Sequence, residues 1–203
     1  IKLNNNNSFW NCYQIICKAF ERGILFMCGI CGFTGQIVDR DDVIKNMTEV
    51  ITHRGPDSDG FFTDDNIAMG FRRLSIIDLD AGHQPIYNED KTLVLTFNGE
   101  IYNYKELRKV LIQKGHKFYT DTDSEVLIHG FEEWQEDLLP RLRGMFGFAI
   151  YNTVDKSLFI ARDFFGIKPM HYTKIGNDFV YASEIKSILE HPNFVKKFNT
   201  KAL

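Results

Sequence analysis

From residue 28 onward, apolar and polar positions recur with regular spacing; before it they do not. Residues 28–35 form a small, apolar run that predicts a buried strand. Over 41–52, Val43, Met47, Val50 and Ile51 fall on one helical face, and His53-Arg54-Gly55-Pro56-Asp57 ends that helix in a turn. Strands are expected over 60–63, 67–77 and 92–97. Asn103 with Glu106 has the form of a capping box, with Tyr102 and Leu107 as a staple, predicting a helix to about residue 114. Thr122 with Glu125 repeats the box and opens a helix whose face is Leu127, Gly130, Phe131 and Trp134. Apolar strands over 145–152 and 157–162 follow, then a hairpin over 170–182 and a short helix over 184–189. Strands apolar on both faces need cover on both, which predicts two packed sheets flanked by helices.

Residues 1–26 stand apart. Asn4 to Asn7 is low-complexity, and Lys18, Glu21 and Arg22 interrupt any apolar signal-peptide core. Two readings stay open for this stretch: translated sequence upstream of a start at Met27, or a propeptide cleaved before Cys28. Met27 immediately before Cys28 favours the first. The expected organisation is an upstream extension over 1–27, one domain over 28–190, and the start of a linker over 191–203.

Composition narrows the function classes. A 44% hydrophobic content with 18 phenylalanines indicates a filled core. A net charge of -3, with no basic stripe, argues against a nucleic-acid partner. No apolar run approaches the ~20 residues that span a bilayer, so a soluble, cytoplasmic protein without a membrane partner is expected. All four cysteines lie at the start of the chain, unlike a disulfide framework. On a strand, Cys28 and Cys31 point to opposite faces and cannot grip one ion, so no metal is expected.

Met27-Cys28 carries the sharpest chemistry. If Met27 is removed, Cys28 holds both a thiol and a free α-amine, a nucleophile with its own base. The motifs Met27-Cys28-Gly29-Ile30, His53-Arg54-Gly55-Pro56-Asp57, Arg73-Leu74-Ser75-Ile76-Ile77-Asp78, Asn98-Gly99-Glu100-Ile101-Tyr102-Asn103, Thr122-Asp123-Ser124-Glu125, and Arg162-Asp163 leading to Gly166-Ile167-Lys168-Pro169 occur in this order. Together they resemble the class II glutamine amidotransferase domain, and more narrowly the amino-terminal half of glutamine-hydrolysing asparagine synthetases.

That resemblance implies an α+β fold, a four-layer αββα sandwich of the N-terminal nucleophile hydrolase type. It implies that Cys28 attacks the side-chain amide of L-glutamine, with Asn98 and Gly99 as the oxyanion hole. Arg73 would pair with the substrate α-carboxylate, Glu100 and Asp123 would meet its α-ammonium, and Leu74, Ser75, Ile76 and Ile77 would line the pocket. Arg72, by alternation, should face away from the site into solvent. The resemblance implies no cofactor in this chain, and ATP with Mg²⁺ in a C-terminal synthetase domain beyond it; it is compatible with a homodimer. The alternatives are a class II domain serving another carboxylate acceptor, or a silent glutamine-sensing or assembly module.

Overall fold

The computed structural model describes residues 27–74 and 83–197. Strand β1 (Gly29–Thr34) leads to helix α1 (Arg40–Glu49), then β2 (Ser58–Thr63), β3 (Ile67–Arg73), β4 (Ile86–Tyr87) and β5 (Leu93–Ile101). Helices α2 (Tyr104–Gln113) and α3 (Glu125–Trp134) follow, with a 3₁₀ helix over Gln135–Arg141. The chain returns as β6 (Gly144–Asn152), β7 (Leu158–Arg162), β8 (His171–Ile175), β9 (Asp178–Ala182) and α4 (Ile185–Ile188). Two antiparallel sheets result, one ordered β2-β3-β1-β9-β8 and the other β4-β5-β6-β7.

Strand periodicity sorts the core into three layers. On β1, Cys31 and Phe33 pack toward α1 and α4 with Ile44, Met47, Ile51 and Ile188. Ile30 points the other way, into the inter-sheet layer with Met69, Phe71, Val94, Tyr151 and Tyr181. The far face of β5, through Leu95, Phe97 and Ile101, packs against α2 and α3 through Leu107, Leu111, Val126 and Leu127. Helix, sheet, sheet, helix is therefore the order of layers, the expected αββα sandwich. The α3 segment is buried over its whole first half, beyond the single face that its sequence marks.

Several local expectations need correction. The strand expected to stop at residue 97 runs on to Ile101, with Asn98 and Gly99 opposite Gly147 and Phe146. A side chain at Gly99 would meet Met145 O at 2.2 Å, so glycine permits that close pairing. The two capping boxes do not form. Asn103 turns away from α2: its Nδ2 donates to Arg141 O (2.9 Å) and its Oδ1 accepts from Arg143 N (2.9 Å), fastening the helix start to the approach of β6. Tyr102 is 63% exposed and no staple. Glu125 reaches back past Thr122 to accept from Tyr119 N (2.6 Å) and Thr120 N (2.8 Å). The short β4 and the proline-containing 3₁₀ helix carry too little periodicity to be foreseen.

Arg72 also departs from expectation. It is buried against α1, ion-paired with Glu49 and with Asp59 (3.3 Å). Alternation is right about its direction, but acidic partners wait there instead of solvent. Gly55 lets the turn after α1 lie on this strand, because a Cβ there would stand 2.6 Å from the backbone of Arg72 and Arg73.

Candidate active site

Cys28 directly precedes β1 and packs at the edge of the inter-sheet layer. Alternation from Ile30 puts the Cys28 side chain on that same inter-sheet face. Arg73 ends β3, in step with Met69 and Phe71, and so continues the same face; it is buried. On β5, Val94 lies in the inter-sheet layer, and Asn98 and Glu100 follow it at even spacing. One end of the space between the sheets thus gathers Arg73 from β3, Asn98 and Glu100 from β5, and Cys28 from just before β1.

The backbone holds the thiol in place. Leu74 N–H donates to Cys28 Sγ at 3.4 Å, so Leu74 meets the thiol through its amide. Arg54 Nε donates to Cys28 O at 3.1 Å, and its guanidinium is held by Glu184 Oε1 at 3.1 Å. His53 shares that carboxylate at 2.9 Å. The His53-Arg54 pair therefore anchors the main chain at Cys28, a structural role.

Burial pushes the Cys28 thiol above its ordinary range, while the Leu74 amide and the charges of Lys168 and Arg73 pull it down. A thiol held neutral in this way needs a base before it can attack. Cys31, three residues on, faces the outer helix layer; burial pushes it to about 11, and it touches Thr48 as an inert core thiol.

Asn98 is 2% exposed, and its Nδ2 has no hydrogen-bond partner among the described residues. A buried amide donor is rarely left unsatisfied, and such exceptions fit groups aimed at a ligand. Gln84 completes the neighbouring strand edge by clasping Phe97, with Nε2 to Phe97 O at 2.9 Å and Oε1 from Phe97 N at 2.6 Å.

Asp123 accepts from Ile101 N at 2.7 Å, beside Glu100. Burial pushes its carboxyl up to about 6; the Ile101 amide opposes that, and the negative charge of Glu100 adds to it. Two adjacent carboxylates, one with a raised pKa, leave room for a cation. A folded-state pKa above the unfolded value contributes stability below the ordinary carboxylate range, and that contribution is lost as pH rises through about 6. Asp123→Asn should therefore melt higher than the parent chain at pH 7.5 by a few degrees, a gap that closes toward pH 4. It should also bind a cationic ligand worse, by roughly ten- to hundredfold. Melting curves across that pH range check the first point; a gap independent of pH would contradict it.

Ser75, Ile76 and Ile77 lie outside the described residues. Two residues that the sequence places in a motif without a role, Lys168 and Asp163, join the site. Lys168 is buried, with its pKa lowered by that burial and raised by the charges of Cys28 and Glu100; its Nζ lies 3.0 Å from Met27 Sδ. Asp163 accepts from the backbone of Lys168 (2.9 Å), Ile167 (2.9 Å) and Phe146 (3.3 Å), so its carboxylate fixes the loop that presents Lys168. A lysine flanked by glycine, isoleucine and proline, deep in an apolar stretch, was the available signal.

Three comparisons bear on this geometry. A family described as the glutamine amidotransferase domain matches residues 27–203. The chain is 48% identical over 175 residues to the glutamine-hydrolysing asparagine synthetase 1 of Bacillus subtilis (strain 168), covering 82% of this chain and 28% of that protein. It is 40% identical over 167 residues to the asparagine synthetase of Zea mays, covering 80% and 28%. The chain thus spans less than a third of the length of these relatives. Among solved structures, the glutamine phosphoribosylpyrophosphate amidotransferase of B. subtilis superposes with a TM-score of 0.66 at 21% identity, over 79% of this chain and 43% of that one, a likeness of fold.

Proposed function

The chain belongs to the glutamine amidotransferase domain family, and on that premise we propose that it hydrolyses L-glutamine to glutamate and ammonia through a thioester on Cys28. The observation that supports this most is the buried, unpartnered Asn98 Nδ2 on the same inter-sheet face as the Cys28 thiol.

The substrate α-carboxylate meets the guanidinium of Arg73, whose fork suits two parallel hydrogen bonds. Its α-ammonium meets Glu100 and Asp123, and Leu74 flanks the thiol. Cys28 Sγ attacks the side-chain amide carbon as the free α-amine of Cys28 accepts the thiol proton. Negative charge on the amide oxygen is held by Asn98 Nδ2 and the backbone N–H of Gly99. The amine returns its proton to the leaving nitrogen, ammonia departs, and water cleaves the thioester to glutamate. Lys168 and Arg73, which both favour the thiolate, ease the first step.

In a longer parent protein the ammonia would serve asparagine formation from aspartate and ATP, in a C-terminal synthetase domain that binds ATP with Mg²⁺. The test is direct. Chain beginning at Cys28 should release glutamate from glutamine without ATP, and should release no pyrophosphate from ATP and aspartate. Absence of glutaminase activity in folded chain of that form would overturn the proposal, and aspartate-dependent pyrophosphate would reveal a nucleotide site within this domain.

A further inference from the structure

We propose that Glu89, His116, His129 and Glu132, none of them assigned to the glutamine site, form a binding site for one divalent transition-metal ion, zinc by its donor set. Glu89 follows β4, His116 follows α2, and His129 and Glu132 stand one turn apart on α3. The four side chains offer two imidazole nitrogens and two carboxylate oxygens, all within 4.8 Å of one another. His129 Nδ1 lies 3.3 Å from Glu89 Oε2 and 3.9 Å from Glu132 Oε2. His116 Nδ1 lies 3.6 Å from Glu132 Oε2 and 3.9 Å from Glu89 Oε1. Tetrahedral zinc bonds of ~2.0–2.1 Å place ligand atoms roughly 3.3 Å apart, so adjustments of several tenths of an ångström to about 1.5 Å would seat the ion.

A second, independent observation points to a ligand. His129 is 0% exposed, yet its Nδ1 makes no hydrogen bond: Glu89 Oε2 comes close without the required geometry. The other ring nitrogen faces a carboxylate, with Nε2 3.5 Å from Glu125 Oε1. Glu125 is itself held by the amides of Tyr119 and Thr120. A proton on Nε2, shared with Glu125, leaves the Nδ1 lone pair directed into the cluster. His116 repeats the arrangement, with Nε2 3.4 Å from Glu133 Oε2. Each imidazole is thus backed by a carboxylate on its far side, the arrangement that orients histidine for a metal. Glu89 is oriented too, since its Oε1 accepts from Lys117 N at 2.8 Å.

Two imidazoles favour a borderline ion over Mg²⁺ or Ca²⁺, which prefer oxygen alone. Glu132, with a side chain 37% exposed, gives the ion a path from solvent. Once bound, the ion would clip the β4–β5 turn to the connection between α2 and α3, a structural role. The rival is a set of imidazolium–carboxylate pairs with no ion.

Chelator-treated full chain is titrated with zinc against a chromophoric competitor, and separately with cobalt. One zinc per chain at submicromolar affinity is expected, together with a rise in melting temperature that Mg²⁺ does not produce. Cobalt should give visible d–d absorption without the near-ultraviolet charge-transfer band of a thiolate, which separates this site from the four cysteines. Glu132→Gln, at an exposed position, and His116→Gln, at a largely buried one, should each weaken binding at least tenfold while native circular dichroism persists. No stoichiometric ion, a thiolate band, or zinc affinity unchanged from the parent chain in both variants would overturn the site.

Discussion

Asn98→Ala should lower kcat for glutamine hydrolysis by on the order of 10²–10³ while leaving KM and the melting temperature nearly unchanged. The split follows from where the carboxamide points. Its Nδ2 is buried and satisfied by nothing among the described residues, so the folded domain gains no hydrogen bond from it. Removing an unpaired buried donor is close to neutral for stability, because no partner is stranded. The donor acts only when charge develops on the substrate oxygen, so its loss falls on the transition state and not on ground-state binding. Asn98→Asp, which keeps the shape but removes the donor, should lose as much. Steady-state kinetics with parallel melting curves check this; an equal rise in KM with unchanged kcat would assign Asn98 to substrate binding instead.

Arg73→Lys should raise KM for glutamine by roughly ten- to hundredfold, because one ammonium cannot reproduce a bidentate fork. Arg72→Lys should do the opposite, sparing KM and lowering the melting temperature. Arg72 is buried between Glu49 and Asp59 on the α1 side of the sheet, and also donates through Nε to Thr48 O at 3.3 Å. A lysine there reaches fewer of these acceptors and leaves a carboxylate underpaired. Adjacent residues thus divide two tasks by strand alternation alone. Glutamine titrations and melting curves of the two variants separate them; a KM effect at Arg72 would reverse the facing assignment.

How much of this was legible beforehand varies with the physical origin of each feature. The two sheets and their helical cover read directly from apolar strands and periodic helices, since each covered face leaves its mark on spacing. Asn98-Gly99 misled the strand boundary because that dipeptide also favours tight turns. Pairing with Phe146 and Gly147, distant in sequence, extends the strand to Ile101. Asn103 looked like a cap, but Arg141 and Arg143 offered its carboxamide better partners across the domain. Arg72 read as solvated because nothing local reveals Glu49 and Asp59. The candidate site was legible where a motif carries chemistry: Cys28, Arg73 and Asn98 share one face, and Asp123 stands beside Glu100. The role of Lys168, quoted only as part of a motif, and the His116–His129 cluster were not, because only tertiary packing brings their partners together.

In the proposed mechanism Cys28 works as an N-terminal residue, its α-amine serving as base to a thiol whose pKa burial raises. The most direct test of this role compares two preparations by intact mass and glutamine turnover: chain whose first residue is Cys28, and chain that retains residues 1–27. Turnover should belong to the first alone, because an amide nitrogen has no proton affinity to lend and a lost base typically costs about 10²–10⁴ in rate. Equal turnover in protein whose mass shows residues 1–27 still attached would contradict it.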